Sequence, residues 1–345
     1  MTQGVPEELR IKRKELDKVD RELLSLIAKR MKIVKDITEI KRKYGIPVFD
    51  KAREEQVLKT REIWGLEEGI DWRFVEEVFK LILQQSRSQQ LYAKSKLYIG
   101  IYGYGGMART LAEVFSRAGH KVVITGRNLE KAKELAQSLK VEWGEPKEVA
   151  SKVEWLILAV PPDALIDVVR ELAPLMRSGS LLSDISSVKS GIVDKILKEL
   201  PEYVEYISLH PLFGPDIDPI GETIVMIPLK SYDYWVRELS QALVSMGFEV
   251  VTASPDEHDK AMAVTQVLHH FALLTLKRSM DELAKELDVN YEGYVTYSFK
   301  KTLDTIKRLE SLFDVVKEIQ QRNPYAKNAR RKFIENAEQL NEEFA

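Results

Sequence analysis

Arg30 places a charge where its surroundings call for an apolar side chain. Residues 6–44 contain no glycine or proline after Pro6, and their apolar residues recur with helical period. Read in sevens, Val19, Leu26, Ile33 and Ile40 form one column, and Leu16, Leu23, Arg30 and Ile37 form the next. A cation in such a stripe is costly unless it is paired. Arg30 therefore pairs with Asp20 or Glu54, snorkels to water, or holds the carboxylate of a ligand. Lys41 lies about 20° from Arg30 around the helix at ~100° per residue. The two cations share a face and could hold both ends of an elongated dianion. Arg13 falls on another face and could join such a site only from a partner helix.

A second chemistry is written in glycine. Gly103, Tyr104, Gly105, Gly106, Met107 and Ala108 follow an apolar run and open a helical stretch. This is a G-x-G-x-x-A turn, which lets a pyrophosphate approach the backbone at a helix N-terminus. The alternative is a plain tight turn. After the next strand, where an acid usually meets the ribose hydroxyl, the chain has Gly126, Arg127 and Asn128. Arg127 either pairs a 2′-phosphate, which favours NADP over NAD, or is an exposed residue beside NAD held by other groups. Val160-Pro161-Pro162 ends a further strand and belongs to the expected dinucleotide site.

The third chemistry is imidazole. The chain has five histidines. His210 closes an apolar strand just before Pro211, at a carboxyl end of the kind where open α/β sheets bind ligands. His258 lies in Asp256-Glu257-His258-Asp259, among carboxylates that favour its charged form. His269 and His270 sit in an apolar helix where one can face a cleft. His120 precedes the second strand and is expected on the surface.

These residues need three kinds of scaffold. Residues 6–44 read as one long helix, ended at Gly45-Ile46-Pro47, whose stripe requires a long partner. Asp50 caps a second helix near 50–64, which Gly65 and Gly69 break, and Asp71 opens a third near 72–94. From Lys96, strands and helices alternate, which means a parallel α/β sheet. Further strands are expected near 205–209, 222–227 and 248–252. From Pro255 the pattern is helical to the end, with a break at Pro324. The fold class is thus an N-terminal three-helix module over 1–95, a Rossmann-like dinucleotide-binding domain over 96–253, and an all-helical domain over 254–345 that binds substrate and dimerises.

Composition agrees with this division. At 345 residues the chain is long enough for two or three domains. It has no cysteine, which excludes disulfides, zinc-thiolate and Fe–S sites and a cysteine nucleophile. No apolar run reaches the ~18 residues of a membrane span. The charged N-terminus does not resemble a signal peptide, so a cytoplasmic location is expected. A net charge of −2 argues against a dedicated nucleic-acid binder. Residues 1–95 carry 21 Lys and Arg against 17 Asp and Glu, and that surplus includes Arg13, Arg30, Lys41 and Arg53. It is either a solvated helical face or the seat of a small anionic ligand.

Arg13, Asp20, Arg30, Lys41, Asp50, Arg53 and Glu54, followed by Ser86 and Gln90, match the all-helical chorismate mutase family without a gap. The resemblance implies an intertwined homodimer in which Arg13 is lent to the other subunit's site. It implies that Arg30 and Arg53 hold the two carboxylates of chorismate. Lys41 and Gln90 would hydrogen-bond the ether oxygen, while Asp50, Glu54 and Ser86 would contact the ring hydroxyl and fix the site. The rearrangement to prephenate needs a folded substrate and a stabilised ether oxygen, and neither a nucleophile nor a metal.

The order of the glycine turn, Val160-Pro161-Pro162, Asp184 to Lys189, His210 to Asp216, Asp256 to Asp259 and Leu268 to Phe271 resembles prephenate dehydrogenase over residues 96–345. A mutase block ahead of it resembles the bifunctional chorismate mutase/prephenate dehydrogenase family. By that resemblance His210 is the base at the ring hydroxyl of prephenate, and Ser187 orients His210 or the hydroxyl. His258 lines the pocket with Gln266 and His270, and Arg308 grips a carboxylate, although Lys300 stands where some relatives have Arg. The rival reading is a monofunctional NAD(P)-dependent dehydrogenase with a regulatory or dimerising helical N-terminus.

Overall fold

The computed structural model describes residues 6–44, 46, 51–90, 96–215 and 217–345, without the side chains of Arg42, Lys51, Gln84 and residues 87–90. Asp50, Gly45, Pro47 and Asp216, and the side chain of Gln90, lie outside the described set. The chain divides into two compact units. One comprises 1–145, 211–224 and 233–250; the other comprises 146–210, 225–232 and 251–345.

The first unit begins with α1 (Glu7–Tyr44), α2 (Lys51–Glu67) and α3 (Trp72–Gln90). Helix α3 packs against both α1 and α2. Asp71 Oδ1 accepts the backbone N–H of Arg73 at 2.9 Å and so caps α3. Gly65 does not break α2. It lies inside the helix, where a Cβ would meet Val75 Cγ2 at 2.5 Å, so its missing side chain lets α2 and α3 touch. Gly69, at φ +73°, makes the turn instead. Most of the α1 stripe faces water: Leu16, Val19, Leu23, Leu26, Ile33, Ile37 and Ile40 are all exposed.

The same unit holds β1 (Tyr98–Tyr102), α4 (Gly106–Arg117), β2 (Lys121–Thr125), α5 (Leu129–Leu139) and β3 (Glu142–Trp143). The strand order is β3-β2-β1, all parallel, with Ile99 opposite Val122 and Ile101 opposite Ile124. Burial on both faces explains why β1 and β2 read as continuous apolar runs. His120 is buried rather than on the surface. Its Nδ1 accepts the Leu97 N–H at 3.2 Å where β1 begins. Burial pushes its pKa down to about 4, so it serves as a neutral structural acceptor.

The second unit opens with α6 (Pro146–Lys152), β4 (Trp155–Leu158), α7 (Pro162–Leu172), β5 (Leu181–Asp184), α8 (Val193–Glu199) and β6 (Glu205–Pro211). Strands β4, β5 and β6 are parallel neighbours in that order. The two outward-wound sets, β3-β2-β1 and β4-β5-β6, are those of a Rossmann-like sheet. The chain continues through β7 (Thr223–Lys230), then α9 (Asp233–Ser245), which belongs to the first unit, and β8 (Glu249–Thr252). The helical remainder is α10 (Pro255–Met262), α11 (His269–Glu286), α12 (Tyr297–Ser311), α13 (Phe313–Arg322) and α14 (Ala326–Glu343). A Ser254/Glu257 capping box starts α10, and Ala263–Leu268 form a π-helical turn between α10 and α11. Such turns commonly mark functional positions. The break expected at Pro324 falls between α13 and α14. Helix α11 has no fully buried residue despite Phe271, Leu273 and Leu274.

Candidate active sites

In the helical module, Arg30 is half-buried on α1 and donates to Ser86 Oγ on α3. Ser86 is buried and donates in turn to Ile82 O at 2.6 Å. Among the described residues Arg30 pairs with neither Asp20 nor Glu54. Burial and the positive charge of Arg61 both lower its pKa. Arg61, which the sequence reading missed, stacks over Trp64 at 4.4 Å. Two neighbouring cations suit an anionic ligand. Lys41 and Glu54 are half-buried, whereas Arg53 is exposed and donates to Gln56 Oε1 at 2.7 Å. Arg13 is exposed, 17 residues before Arg30. At ~1.5 Å per residue the two are about 26 Å apart along α1, too far to share a site within one chain.

The glycine turn lies between β1 and α4, as its spacing requires. Gly103 has φ +146° and donates to Thr125 O at 2.9 Å. Gly105 caps α4 without a side-chain bond, and a Cβ there would meet nothing within 4 Å. That open cradle at a helix N-terminus fits a pyrophosphate. Gly106 has the opposite constraint, because a Cβ would meet Pro215 Cβ at 2.6 Å. Ala108 is buried and Met107 half-buried. At the end of β2, Arg127 is exposed, and the Asn128 side chain accepts the Lys131 N–H to cap α5. In the second unit, Val160 and Pro161 follow β4, and Pro161 is the N-cap of α7.

The imidazole cluster belongs wholly to the second unit. His210, buried at the end of β6, shares a 2.7 Å hydrogen bond through Nδ1 with His258 Nε2. His258 Nδ1 bonds Asp259 Oδ1 at 2.8 Å. Asp259 also accepts the backbone N–H groups of Lys189 at 3.0 Å and Ser190 at 2.8 Å. Burial raises the Asp259 pKa, but the bonds from His258, Ser190 and Lys189 outweigh it and hold the carboxyl below its ordinary value. Desolvation, then the charge of Lys189, hold the His210 pKa well below the usual imidazole value. His210 is therefore neutral near pH 7, as a base requires.

Beneath this chain lies a fully buried knot. Asp184 accepts from Tyr206 OH at 2.6 Å, from Lys189 Nζ at 3.3 Å, and from Ser186 and Ser208. Lys189 Nζ also donates to Leu209 O at 2.7 Å, one residue before His210. Burial opposes the Asp184 charge, and Lys189 and the three hydroxyls more than restore it. Lys189 and Asp259, though quoted in the sequence motifs, had no role assigned there; only the fold brings them to His210. Ser187 is half-buried and, among the described residues, makes no bond to His210, whose Nδ1 partner is His258. In the π-helical turn, Gln266 Oε1 is buried without a protein partner, as is His270 Nδ1. Burial first, then His269 and Arg308, pushes the His270 pKa down to about 4. Arg308 itself is exposed on α12.

Three family models match consecutive segments: chorismate mutase type II over residues 12–91, NADP oxidoreductase coenzyme F420-dependent over 98–187, and the prephenate dehydrogenase dimerization domain over 254–345. The chain is 31% identical to a chorismate mutase of Methanocaldococcus jannaschii over 78 residues, which span 23% of this chain and 79% of that protein. The chain belongs to the family that joins a chorismate mutase to a prephenate dehydrogenase.

Members similar to it over most of their length include the T-protein of Enterobacter agglomerans, 26% identical over 292 residues, covering 81% of this chain and 73% of the relative. The T-protein of Haemophilus influenzae is 24% identical over 273 residues, covering 77% and 68%. In fold, the chain is similar to a prephenate dehydrogenase of A. aeolicus, solved with hydroxyphenyl propionate and NAD+. The TM-score is 0.60 at 19% identity, over 72% of this chain and 89% of that one. The dehydrogenase half of this family member is NAD(P)-dependent.

Proposed function

We propose that one chain carries two consecutive reactions of tyrosine synthesis. The helical module rearranges chorismate to prephenate, and the remainder oxidatively decarboxylates prephenate to 4-hydroxyphenylpyruvate. The functional divisions are residues 1–95, 96–253 and 254–345. The observation that carries the reading is the buried, neutral His210 at the carboxyl end of β6, hydrogen-bonded to His258. Arg30, bonded to Ser86 and facing Arg61, favours a working mutase over an inert dimerising arm.

In the mutase, Arg30 and Arg53 hold the substrate carboxylates, and the half-buried Lys41, with Gln90, stabilises charge on the ether oxygen. Asp50, Glu54 and Ser86 fix the ring hydroxyl, and Arg13 comes from the second chain of a homodimer. Catalysis then consists of holding a reactive conformer and stabilising the charge that develops.

In the dehydrogenase, the bound dinucleotide supplies the hydride acceptor. The residues that would hold it are Gly103, Gly105, Gly106, Met107, Ala108, Val160 and Pro161, with Arg127 at a 2′-phosphate. His210 takes the proton of the ring hydroxyl as hydride leaves the same carbon, and loss of CO2 aromatises the ring. Ser187 orients the hydroxyl, Gln266 and His270 line the pocket, and Arg308 grips a carboxylate. A cytoplasmic location is part of this proposal. Among the described residues no helix is long and apolar enough to cross a membrane.

Prephenate supplied directly with NADP+ or NAD+ tests the reading. Arg127→Ala raises KM for NADP+ at least tenfold and leaves that for NAD+ within about twofold, the loss of one charge-assisted pair. Equal losses discard the 2′-phosphate contact, and no reduction by the unaltered protein discards the dehydrogenase.

A further inference from the structure

We infer that Asp259 and His258 form a positioning relay that fixes His210 in the tautomer protonated on Nδ1, leaving Nε2 as the base. The inference rests on the dehydrogenase reading above and extends it to two residues that do not themselves take the substrate proton.

Hydrogen-bond accounting leads to this assignment. The Asp259 carboxylate accepts the main-chain N–H groups of Lys189 and Ser190, which can only donate. These bonds hold the carboxyl below its ordinary pKa and so ionised, and it accepts at the 2.8 Å contact with His258 Nδ1. His258 must carry its proton on Nδ1, since a bare ring nitrogen there would oppose the carboxylate lone pairs. In a neutral His258, with that one proton placed, Nε2 is an acceptor. The group facing it at 2.7 Å is His210 Nδ1, which must donate. A neutral His210 that donates through Nδ1 has its lone pair on Nε2. Among the described residues none bonds that nitrogen.

The relay also explains a conflict in the surroundings of His210. The charged and titratable groups acting on it are Lys189 and Asp184, from β5 and the turn after it, and His258 and Asp259, from α10. Desolvation and Lys189 both oppose a positive charge there. When Nε2 takes the hydroxyl proton, the resulting imidazolium donates Nδ1–H to His258 Nε2, and His258 donates Nδ1–H to Asp259. The carboxylate thus compensates the new charge through one intervening ring, without itself being protonated. The hydroxyl O–H breaks as Nε2–H forms, and within the relay no covalent bond changes: the two Nδ1–H bonds stay intact. A hydrogen bond to the charged form raises its pKa, so the relay strengthens His210 as a base against its burial.

His258→Leu and His258→Gln separate this role from simple packing. Leu removes the acceptor, whereas the Gln side-chain carbonyl can still accept from His210 Nδ1. In the Leu variant kcat with prephenate falls on the order of 100-fold, and the acidic limb of the kcat/KM profile moves to lower pH. KM for the dinucleotide stays within about threefold, because only the base is disturbed. The Gln variant recovers at least tenfold of the lost kcat. Conversion of chorismate to prephenate by the same proteins is unchanged and reports that the chain is folded. Independently, 15N NMR of the unaltered protein finds His210 protonated on Nδ1 and bare on Nε2. A Leu variant within threefold of wild-type kcat, or a Gln variant no better than Leu with an unmoved acidic limb, overturns the relay. So does a His210 protonated on Nε2. If the unaltered protein reduces no dinucleotide with prephenate, the dehydrogenase reading falls instead, and the relay falls with it.

Discussion

Arg30 and His210 do different kinds of work, and their surroundings show why. Arg30 keeps its charge half out of water beside a second cation, Arg61, which is unfavourable until an anion arrives. His210 stays neutral in a fully buried setting, which suits a proton acceptor. The two residues therefore predict a double dissociation. Arg30→Ala lowers chorismate rearrangement by a factor of about 100–1,000, the scale for one lost electrostatic contact to a transition state. It leaves prephenate oxidation intact. His210→Asn lowers prephenate turnover at least 100-fold with little change in prephenate KM and spares the rearrangement. Assaying both steps on both variants checks this, and a variant that loses both activities equally contradicts separate sites. Arg30 was legible in the sequence because a charge interrupted an apolar column. Arg61 was not, because nothing in its spacing on α2 distinguishes it from a solvated cation. His120 misled for a related reason: position before a strand does not reveal that a ring nitrogen accepts a buried N–H.

The elements that hold His210 are fastened by Asp184, where β5 ends. Its carboxylate collects donors from the turn after β5 and from two residues of β6, so the two strand ends are tied at one buried charge. Asp184→Asn leaves Lys189 without its counter-charge in a fully buried place. Breaking such a pair costs about 3–5 kcal/mol, read as a lower denaturant midpoint. The sign with pH follows from the depressed Asp184 pKa, which lies below its ordinary value of 3.8. Its contribution is complete above the unfolded carboxylate value and is lost as pH falls through the folded one. Acid unfolding is therefore less steep in the Asn variant, and identical acid profiles would show that Asp184 holds nothing together. The strands and the glycine turn could be read from sequence because burial on both faces and a G-x-G-x-x-A turn leave local patterns. Gly65 could not, since a helix breaker and a helix-contact glycine look the same until the Val75 side chain is placed against it. The Asp184 knot could not either, because its members are up to 24 residues apart and meet only through strand pairing.

On the scale of the whole molecule, the exposed stripe of α1 and the absence of fully buried residues on α11 leave two apolar helical surfaces that a single chain does not cover. Patches of this kind mark interaction sites, and the prephenate dehydrogenase dimerization domain matches residues 254–345. A homodimer predicts a solution mass of twice 39.6 kDa by light scattering, and a monomer at working concentration contradicts it. It also predicts complementation. Arg13→Ala and Arg30→Ala proteins, each inactive as a mutase, regain rearrangement when unfolded together and refolded, since one site per mixed dimer then has both arginines. No recovery would place Arg13 outside the site. The claim on which everything else depends is that two chemistries share this one chain. Chorismate as sole organic substrate, with NAD+ or NADP+ and no auxiliary enzyme, tests it directly. The account predicts that one dinucleotide is reduced and one CO2 released for each chorismate consumed. Chorismate consumed without reduction, or not consumed while added prephenate is oxidised, would contradict it.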